Sequence, residues 1–559
     1  MKLSDYVVQF VESVTDSIFL LSGGGIMHLV DSVGKSKNLN TICCHHEQGA
    51  AIAAEGYARI KNDVGVVLVT TGPGGTNAIT GVAGAWLDSV PMLVISGQVK
   101  TDNITPRKNG ALTVRAIGFQ ELNLIDLVKH ITKYAVTVEE KEDIQYHLEK
   151  AVHLAKTGRP GPVWVEIPLD IQASEINPEK LRGFSDLPSS QFTKPKIPMD
   201  IIVSQLKKAK RPLLLAGSGI RLAGGEKILW KVLNQLKINV ATVIINDDDL
   251  VTSEYEYYLG RQGMPGNETA NWAIDNCDLL LVIGDRLQLT QLSYDYPNFA
   301  TQATKIMVDI DENELHKKTL DIDIPVCTDA KLFLEELYKQ KIKLNRWNIK
   351  VKPINPRDFK PRGNYVNIYT FLSELAKHSK KYHIATADGM ASLGPHQALA
   401  IRRGQRFITN AGLGHMGSGL PYAIGVSLAS NKGPVICMEG DGSLMLNIQE
   451  LQTILYHKLP IKLFIWNNNG YYSIRSTHLN YFKKEFASSP ETGVSFPDFE
   501  KLIKAWGFAY RKIANDKDLY QIAEIMNYKG PIVCELMIDP DQPMLKKWTA
   551  GMYRGKNSY

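Results

Sequence analysis

Two polar residues near the C-terminus follow apolar runs that resemble neighbouring strands. Asp441 lies between two glycines after the run GPVICME, and Asn468 follows the run IKLFIW with one asparagine between. A helical pattern separates the two runs, with Asn447 predicted as its N-cap, so the whole segment is a βαβ unit. Because parallel strands end at the same edge of a sheet, we expect Asp441 and Asn468 to lie close together.

The chemistry of this pair suits a metal ion. A carboxylate, an amide oxygen and backbone carbonyls are the hard oxygen ligands that Mg²⁺ prefers. The glycines beside Asp441 let backbone N–H groups approach the oxygens of a diphosphate, which the metal would bridge. A GDG turn alone and an Asn-Asn strand exit alone are both common in other contexts. Their combination, at a spacing of 27 residues, predicts a metal and diphosphate site.

The elements that must position these residues recur along the whole chain. Continuous runs of Val, Ile and Leu that end in glycine alternate with longer segments of helical periodicity, as is typical of parallel strands buried on both faces. This alternation predicts an α/β fold with right-handed crossovers. The predicted strands lie within residues 64–75, 91–98, 212–219, 238–246, 278–285, 305–311, 382–389, 433–442 and 461–469.

Two Pro- and Lys-rich stretches interrupt the alternation, from Ile176 to Pro198 and from Lys341 to Arg362. Such stretches are typical of linkers between domains. A chain of 559 residues has room for three or four domains of ordinary size. We therefore predict an α/β protein with three doubly wound parallel-sheet domains. The predicted domains are residues 1–175, 197–340 and 363–559.

The composition excludes several classes of protein. Lys and Arg number 64 against 58 Asp and Glu, and because the basic residues are scattered, no nucleic-acid partner is expected. Six cysteines without CxxC spacing argue against a disulfide framework and a zinc site. No apolar run approaches the ~20 residues that span a bilayer, and the N-terminus does not resemble a signal peptide. We expect a soluble cytoplasmic protein that binds no membrane.

Beyond the GDG and Asn-Asn segments, the chain resembles the acetolactate synthase-like superfamily of enzymes that use thiamine diphosphate (ThDP). The resemblance extends through most of the chain and is more specific for the superfamily than for the reaction. It implies a pyrimidine-binding N-terminal domain, a central domain and a C-terminal domain that binds diphosphate and Mg²⁺. It rests on HHEQGAAIAAEGYAR (45–59), TTGPGGTNAITG (70–81), PMLVISGQV (91–99), FQE (119–121), TGRPGPVWVEIPLDIQ (157–172) and NAGLGHMGSGLPYAIG (410–425).

The resemblance implies catalytic roles for three residues. Glu47 would hydrogen-bond to N1′ of the aminopyrimidine ring of ThDP, so that N4′ can take the proton from C2 of the thiazolium ring. Gln120 would face the reacting carbon, and Gly25 would approach the substrate through its backbone. Three successive glycines replace the Pro-Gly-Gly that the family usually has around Gly25, and this composition predicts a mobile loop.

The resemblance also implies which residues bind the cofactor and the metal. Met416 would wedge between the two rings of ThDP and hold the molecule bent, and His415 beside it would line the site. The implied cofactor-binding residues are Glu47, Gly72, Gly74, Asn77, Met416, Gly440, Asp441, Gly442, Ser443 and Asn468. The implied metal-binding residues are Asp441, Asn468 and Gly470.

The implied reaction is decarboxylation of a 2-keto acid, such as pyruvate, and transfer of the resulting acyl-anion unit to a carbonyl acceptor. The implied assembly is a homodimer or homotetramer with the active site between subunits. Three alternatives stay open: a simple 2-keto acid decarboxylase, a flavin-dependent oxidase, and a catalytically silent binding homologue. A nicotinamide-dependent dehydrogenase built on the GSG turn at residues 217–219 would leave the GDG and Asn-Asn segments unexplained.

Two features depart from the usual acetolactate synthase pattern. Thr477 stands near the position of a tryptophan that selects 2-ketobutyrate as acceptor, and the loop between Gln98 and Gln120 is long and basic. Together they predict a wider acceptor pocket with cations at its rim, suited to a nucleotide-linked keto sugar. A solvated basic loop is the alternative. The cations of this loop are Lys100, Arg107, Lys108 and Arg115.

The central domain leaves the binding of FAD open. Segments at 217–225, 260–271, 284–286 and 309–311 occupy the positions where flavin-binding relatives hold FAD, although a lone GxG is weak evidence. The segment LQLTQLSY replaces the acidic stretch that usually follows the glycine-arginine motif of these relatives. If FAD binds, its expected role is structural.

Overall fold

A computed structural model describes residues 1–185, 197–243 and 250–556 of the chain. Three six-stranded parallel sheets, each flanked by helices, form its framework. The prediction of three doubly wound α/β domains is therefore confirmed. Residues 186–196 of the first predicted linker lie outside the described part. No helix among the described residues is both long enough and apolar enough to cross a membrane.

The N-terminal domain contains six parallel strands, one short antiparallel hairpin and seven helices in its described residues. Its strands are β1 (Ser17–Leu20), β2 (Asn40–Cys43), β3 (Gly65–Val69), β4 (Met92–Gln98), the hairpin strands β5 (Arg107–Lys108) and β6 (Ala111–Leu112), β7 (Tyr134–Thr137) and β8 (Pro162–Pro168). Its helices are α1 (Leu3–Val14), α2 (Met27–Lys35), α3 (Glu47–Lys61), α4 (Pro73–Leu87), α5 (Leu124–Val128), α6 (Ile144–Lys156) and α7 (Leu169–Ala173).

The central domain has six parallel strands and six helices in its described residues. Its strands are β9 (Pro212–Ala216), β10 (Asn239–Val243), β11 (Tyr258–Gln262), β12 (Leu279–Ile283), β13 (Thr304–Asp309) and β14 (Ile324–Cys327). Its helices are α8 (Met199–Lys208), α9 (Gly219–Leu222), α10 (Glu226–Leu236), α11 (Glu268–Asn276), α12 (Glu312–Leu315) and α13 (Ala330–Lys339).

The C-terminal domain has six parallel strands and eight helices in its described residues. Its strands are β15 (His383–Thr386), β16 (Phe407–Ile408), β17 (Val435–Gly440), β18 (Ile461–Asn467), β19 (Ala509–Ile513) and β20 (Ile532–Met537). Its helices are α14 (Ile368–His378), α15 (Met390–Ala398), α16 (Gly419–Ala429), α17 (Asp441–Leu444), α18 (Glu450–His457), α19 (Tyr472–Phe482), α20 (Phe499–Trp506) and α21 (Gln521–Asn527).

The order of the strands indicates where each sheet can bind a ligand. The N-terminal sheet is ordered β2-β1-β3-β4-β8-β7 and the C-terminal sheet β16-β15-β17-β18-β20-β19, which is the same topology. The central sheet, β11-β10-β9-β12-β13-β14, has the order of dinucleotide-binding folds. Ligands bind such sheets beyond the carboxyl ends of the strands where the order reverses. These points lie at β1/β3, β9/β12 and β15/β17.

Burial of the strands explains why apolar runs in the sequence predict the positions of the strands correctly. Every residue of β3, β4, β8, β9, β10 and β12 is buried. Strands covered by helices on both faces need no polar alternation, so continuous Val, Ile and Leu runs form them. The predicted strand at 238–246 is described only as far as Val243, because residues 244–249 lie outside the described part.

The N- and C-terminal domains share one apolar core, which is formed where α3 packs against α16. Glycines bring the two backbones together: a Cβ at Gly425 would lie 1.9 Å from the carbonyl oxygen of Ala53, and one at Gly56 would lie 2.9 Å from that of Tyr422. Only a residue without a side chain allows this approach. The contact places the two sheets of identical topology against each other.

We predict that Gly425→Ala lowers the free energy of unfolding by about 1–3 kcal/mol, because the added methyl group forces the helices apart. The midpoint of urea-induced unfolding measures the change. Gly34→Ala in α2 is the matched control, since a Cβ there meets nothing within 4 Å. It should stabilise the protein slightly, by roughly 0.5–1 kcal/mol. Equal effects of the two substitutions would contradict the packing argument.

Candidate active site

Glu47 begins helix α3 and is 5% exposed. Its Oε2 accepts a hydrogen bond of 3.0 Å from the side-chain amide of Asn77, which lies in the first turns of α4. Gly74 leaves room for the carboxylate, because a Cβ there would lie 3.4 Å from Glu47 Oε1 and 2.9 Å from Thr70. The structure therefore brings together Glu47, Gly74 and Asn77, three of the residues that the sequence predicts at the cofactor.

The N-terminus of α3 is held by a carboxylate of the C-terminal domain. Glu450 at the start of α18 accepts hydrogen bonds from the backbone N–H groups of His45 (2.9 Å) and His46 (3.1 Å). The ring of His46 in turn caps α3 by accepting from Gln48 N. Glu450 thus fixes the backbone from which Glu47 projects. Sequence reasoning missed Glu450, since nothing in the segment NIQELQT distinguishes it from a surface helix acid.

The triple-glycine loop, which the sequence predicts to be mobile, is held by two hydrogen bonds at Gly25. Gly25 donates its N–H to Thr70 Oγ1 (3.2 Å), and its carbonyl accepts from the Gln172 side chain (2.8 Å). A Cβ at Gly23 would lie 2.5 Å from Thr70, and one at Gly25 would lie 1.9 Å from Thr71 Oγ1. Glycine is required here because the two threonines occupy the space, at the point where the strand order reverses beside β1 and β3.

Gln120 touches this cluster through its backbone. Gly72, with φ of 60°, leads into α4, and a Cβ at Gly72 would lie 2.2 Å from the Gln120 carbonyl oxygen. Gln120 itself has φ of 64°, a conformation that a residue with a side chain rarely adopts. Its side chain is exposed in the single chain, and Phe119 beside it is 88% exposed. The side chains of Phe119 and Gln120 therefore lie at the surface of the single chain and not in the core of their own domain.

The predicted pair in the C-terminal domain lies as the sequence indicates. In the paired register of β17 and β18, Gly440 is opposite Trp466, so Asp441 and Asn468 follow neighbouring strands at one edge. Asp441 Oδ2 accepts from the backbone N–H groups of Asn468 and Gly470, both at 3.1 Å. Its Oδ1 accepts from Gly442 N at 2.8 Å. The three residues predicted to bind metal thus form one compact group.

Two observations indicate that this group suits a cation. Asn468 Oδ1 is buried and has no hydrogen-bond partner among the described residues. Burial raises the pKa of Asp441 to about 7, against the lowering effect of its backbone hydrogen bonds. A bound cation would remove both penalties, because it accepts electron density from each oxygen. The described residues include no group of three or more His, Cys, Asp or Glu that could hold a metal ion.

Ser443 connects this group to the loop that carries Met416. Its hydroxyl accepts from Gly417 N at 2.8 Å, and the amide of Asn447 donates to Gly417 O at 2.8 Å. The prediction of Asn447 as a helix N-cap is wrong, because α18 begins only at Glu450. The side chain of Asn447 binds the neighbouring loop, which is a tertiary contact that helix periodicity cannot reveal. Met416 is half-buried at this position.

The turn after β15 is a third contributor that sequence reasoning missed. β15 pairs with β17, so the turn at Gly389 lies at the same reversal of strand order as Asp441. Helix α15 begins at Met390 without a side-chain cap, and Met390 Sδ lies 3.9 Å from Asn468 Nδ2. Uncapped N–H groups at a helix N-terminus bind anions well. The signal was present in the sequence as ADG directly after the predicted strand YHIAT.

The ring of His415, which is predicted to line the active site, packs against helix α4 of the N-terminal domain. A Cβ at Gly84, near the C-terminus of α4, would lie 3.4 Å from His415 Cε1. Burial lowers the pKa of His415 to about 4, and the positive charge of Arg59 lowers it further. The imidazole is therefore neutral at physiological pH and cannot donate a proton as an imidazolium ion.

The basic loop before Gln120 is less free than its sequence suggests. Arg107 pairs with Asp126 and also donates to Gly110 O. Lys108 and Arg115 are exposed, and neither forms an ion pair within the described residues. Thr477 is also exposed, on helix α19. Lys108 and Arg115 thus offer positive charge at the surface, whereas the charge of Arg107 is paired with Asp126 on α5.

The central domain has a cavity of about 330 Å³ at its own reversal of strand order. Gly217 and Gly219 lie against the backbone of Gly284, where a Cβ at either would come within 2.1 Å or 2.7 Å of it. The cavity opens toward the N-terminal domain, whose Arg159 pairs with Asp311 and Glu314. Residues that line it include Ser218, Gly219, Asp285, Asp309, Asp329 and Arg159.

Comparison with known proteins gives matches along the chain. Family models of the thiamine pyrophosphate enzymes match in three parts: the N-terminal TPP binding domain over residues 1–124, the central domain over 199–337 and the C-terminal TPP binding domain over 389–536. Thiamine pyrophosphate and TPP are other names for ThDP. The three matches follow the same order as the three sheets.

Curated relatives match over nearly the full length. The chain is 32% identical over 532 residues to acetolactate synthase isozyme 2 large subunit of Escherichia coli (strain K12), covering 94% of this chain and 93% of the relative. It is 31% identical to the acetolactate synthase large subunit of Lactococcus lactis, covering 98% and 95%. It is 30% identical to acetolactate synthase 2, chloroplastic, of Nicotiana tabacum, covering 98% and 84%.

We predict that His415 makes the protein acid-sensitive. Because its pKa is lower in the folded state than the ordinary 6.5, the unfolded chain takes up a proton first as the pH falls. Stability should therefore fall between about pH 6.5 and pH 4. His415 should lower the free energy of unfolding of the wild type by about 3 kcal/mol over this range, and His415→Phe should lack that decrease. Urea unfolding at several pH values measures the difference.

His130→Phe is the control for that measurement, because His130 is exposed. It should leave the pH dependence unchanged. An unchanged pH dependence in His415→Phe as well would mean that His415 is not the buried neutral histidine described here.

Proposed function

Because this chain belongs to the thiamine pyrophosphate enzyme family, we propose that it uses ThDP and Mg²⁺ to decarboxylate pyruvate and transfer the acyl-anion unit to a carbonyl acceptor. The observation that carries this proposal is the near full-length similarity to acetolactate synthase large subunits. The two clusters around Glu47 and Asp441 support it, since each has the chemistry that its half of the cofactor needs.

The C-terminal cluster would hold the metal and the diphosphate. Asp441, the Asn468 amide oxygen and the Gly470 carbonyl supply three protein ligands, and diphosphate oxygens would complete the coordination. The N-terminus of α15 at Met390 and the hydroxyl of Ser443 can donate to the remaining diphosphate oxygens. Gly440 and Gly442 flank Asp441, and neither places a side chain between its backbone and the ligand.

The N-terminal cluster would handle the proton. Bound ThDP supplies the electron sink that allows CO₂ to leave a 2-keto acid. Glu47 would accept a hydrogen bond at N1′ of the pyrimidine and so favour removal of the C2 proton by N4′. The amide of Asn77 orients the carboxylate at 3.0 Å, and Glu450 fixes the helix end from which it projects. Burial of Glu47 keeps water from competing for this hydrogen bond.

We propose that a second copy of the chain completes the site, as a homodimer or homotetramer. No hydrogen bond joins Glu47 to Asp441 within the described part of one chain. Apolar side chains are exposed beside both clusters, which is costly unless another surface covers them. Beside Gln120 they are Leu112, Val114, Ile117, Phe119 and Leu122, and beside the metal turn they are Ile474, Leu479, Tyr481, Phe482 and Phe486.

The acceptor is proposed to be larger than a simple keto acid. Thr477 is a smaller, exposed side chain near the position where the family usually has a tryptophan, and Lys108 and Arg115 offer positive charge on the loop before Gln120. Charges at a pocket mouth attract an anionic compound such as a nucleotide-linked keto sugar. Since Arg107 is paired with Asp126, we assign it no part in this attraction.

The cavity of the central domain is the proposed place for FAD, in a structural role. The sheet has the strand order of dinucleotide-binding folds, and the cavity lies at its reversal of strand order. Carboxylates such as Asp285 and Asp309 would accept hydrogen bonds from ribose hydroxyls. Burial raises the pKa of Asp309 to about 6, so a hydroxyl donor there would stabilise the ionised form. The visible absorption spectrum of the purified protein tests this assignment.

Product analysis tests the proposed reaction. With pyruvate and a bulky anionic keto acceptor, we expect CO₂ release and a ligated ketol, formed faster than with pyruvate or 2-ketobutyrate as acceptor. Lys108→Gln combined with Arg115→Gln should raise the KM for that acceptor and leave CO₂ release unchanged, because the charges act only on binding. Lys339→Gln on α13 is the control, since this exposed lysine lies in the central domain.

The other outcomes identify the alternatives. Efficient formation of acetolactate with no use of any bulky acceptor indicates a plain acetolactate synthase. Acetaldehyde indicates a decarboxylase, and peroxide with an oxidised acetyl product indicates a flavin-dependent oxidase. Absence of CO₂ release in the presence of ThDP and Mg²⁺ indicates a silent homologue.

Subunit complementation tests the shared site. Glu47→Gln and Asp441→Ala should each lose activity by roughly 10²–10⁴-fold or more, because one removes the acid–base group and the other the metal ligand. When the two variants are mixed under exchange conditions, a mixed dimer contains one site with both native residues, so activity should reappear. Mixed dimers that form but remain inactive, detected by a size-tagged subunit, would count against a shared site.

A further inference from the structure

Arg475 is the one buried residue of helix α19, whose other ten residues are half-buried or exposed. The helix follows the Asn468–Gly470 turn directly. Arg475 is 4% exposed, although arginine is rarely buried in a single surface helix. A buried guanidinium needs several acceptors, so its partners indicate what it does.

The guanidinium binds three separate segments of the chain. Nη1 donates to Pro540 O at 2.8 Å, and Nη2 donates to Asn469 O at 3.2 Å and to Ser488 O at 3.5 Å. Nε lies 3.1 Å from Glu485 Oε2. The planar fork of arginine can bind several carbonyls in fixed directions, which the single ammonium of lysine cannot do.

One of these segments is the turn that contains the proposed metal ligands. Asn469 has φ of 54° and Gly470 has φ of 155°, both outside the usual range for residues with side chains. A Cβ at Gly470 would lie 2.4 Å from Arg475 Nη2 and 2.2 Å from Ser488 O. Gly470 therefore packs against both the guanidinium and Ser488 of the 485–489 loop. Its backbone N–H donates to Asp441 Oδ2.

The charge of Arg475 is balanced by the carboxylate of Glu485. Glu485 accepts from the hydroxyls of Ser488 (3.1 Å) and Ser489 (2.9 Å) as well as pairing with the guanidinium. Because the Arg475–Glu485 ion pair has no net charge, it does not repel a cation bound at the turn as an unpaired guanidinium would. The neighbouring Tyr472 adds a second tie, because its hydroxyl donates to Gln542 O at 2.9 Å.

We propose that Arg475 is a positioning residue for the metal: it holds the Asn469–Gly470 turn so that the Asn468 amide oxygen and the Gly470 carbonyl face the Mg²⁺. This inference rests on the proposed use of ThDP and Mg²⁺. Arg475 touches neither metal nor substrate. It acts through the backbone of the turn, as residues behind the direct ligands of a metal commonly do.

The test measures metal binding rather than turnover. Mg²⁺ is titrated calorimetrically into the full-length wild-type protein, Arg475→Met and Arg475→Lys, each saturated with ThDP. Loss of a group behind the metal ligands typically weakens metal affinity by roughly 10–100-fold, so we expect a Kd for Mg²⁺ increased to that extent in Arg475→Met. Arg475→Lys should recover only part of the loss, because lysine replaces the charge but not the fork.

Arg511→Met is the matched control, since Arg511 lies in the same domain and pairs on the surface with Glu524 at 2.8 Å. It should bind Mg²⁺ as wild type does. At saturating Mg²⁺ and ThDP, Arg475→Lys should have a KM for pyruvate close to that of wild type. A Kd for Mg²⁺ that is unchanged in both Arg475 variants overturns the inference.

Two further measurements separate the explanations. If Arg475→Met unfolds, the thermal stability of metal-free Arg475→Lys shows whether the loss is general; weakened Mg²⁺ binding at an unchanged melting temperature supports positioning. A loss of Mg²⁺ binding that is only proportional to the loss of folded protein counts against it. If wild type itself binds no Mg²⁺ with ThDP, the proposed function fails, whereas tight wild-type binding matched by the variants refutes only the role of Arg475.

Discussion

The contact between α3 and α16 is the constraint on which the rest of the site depends. At Gly425 and Gly56 the helices approach so closely that a single methyl group would collide with a backbone carbonyl. Glycine and alanine recur in both helices, and the contact forms the common core of the outer domains. Helices packed this tightly cannot slide without breaking many contacts at once. The N-terminus of α3, and with it Glu47, is therefore fixed relative to the C-terminal sheet.

Two domains of the same topology present different chemistry at equivalent edges. At the reversal of the N-terminal sheet, backbone groups and threonine side chains surround a buried carboxylate. At the reversal of the C-terminal sheet, the buried Asp441 carboxylate accepts from backbone N–H groups, and Asn468 Oδ1 is buried without a hydrogen-bond partner among the described residues. Burying a carboxylate and an unpartnered amide oxygen is costly, so this edge gains from a cation. The fold supplies the geometry twice, and local side chains decide what each copy can bind.

Much of this organisation was accessible to sequence reasoning, for a clear reason. Strands buried on both faces produce continuous apolar runs, and the residue that follows such a run lies at the sheet edge by geometry alone. Asp441 and Asn468 could be paired in this way before any coordinates. The same reasoning failed for Asn447, whose side chain binds the backbone of Gly417 instead of capping a helix. Sequence reasoning also missed the hydrogen bond that holds the loop at Gly25, because its partner Gln172 is 147 residues away.

What the sequence determined by itself is the fold class, the order of the three domains, the family and the groups at two strand ends. Each of these depends on local periodicity or on a short motif. Only the tertiary structure revealed Glu450 holding the start of α3, Met390 beside Asn468, and Arg475 behind the metal turn. In each case the partners lie on different segments, and their residue types are common on any surface. Long-range contacts determine which of many ordinary residues are buried, and the local sequence pattern does not show which segments come together.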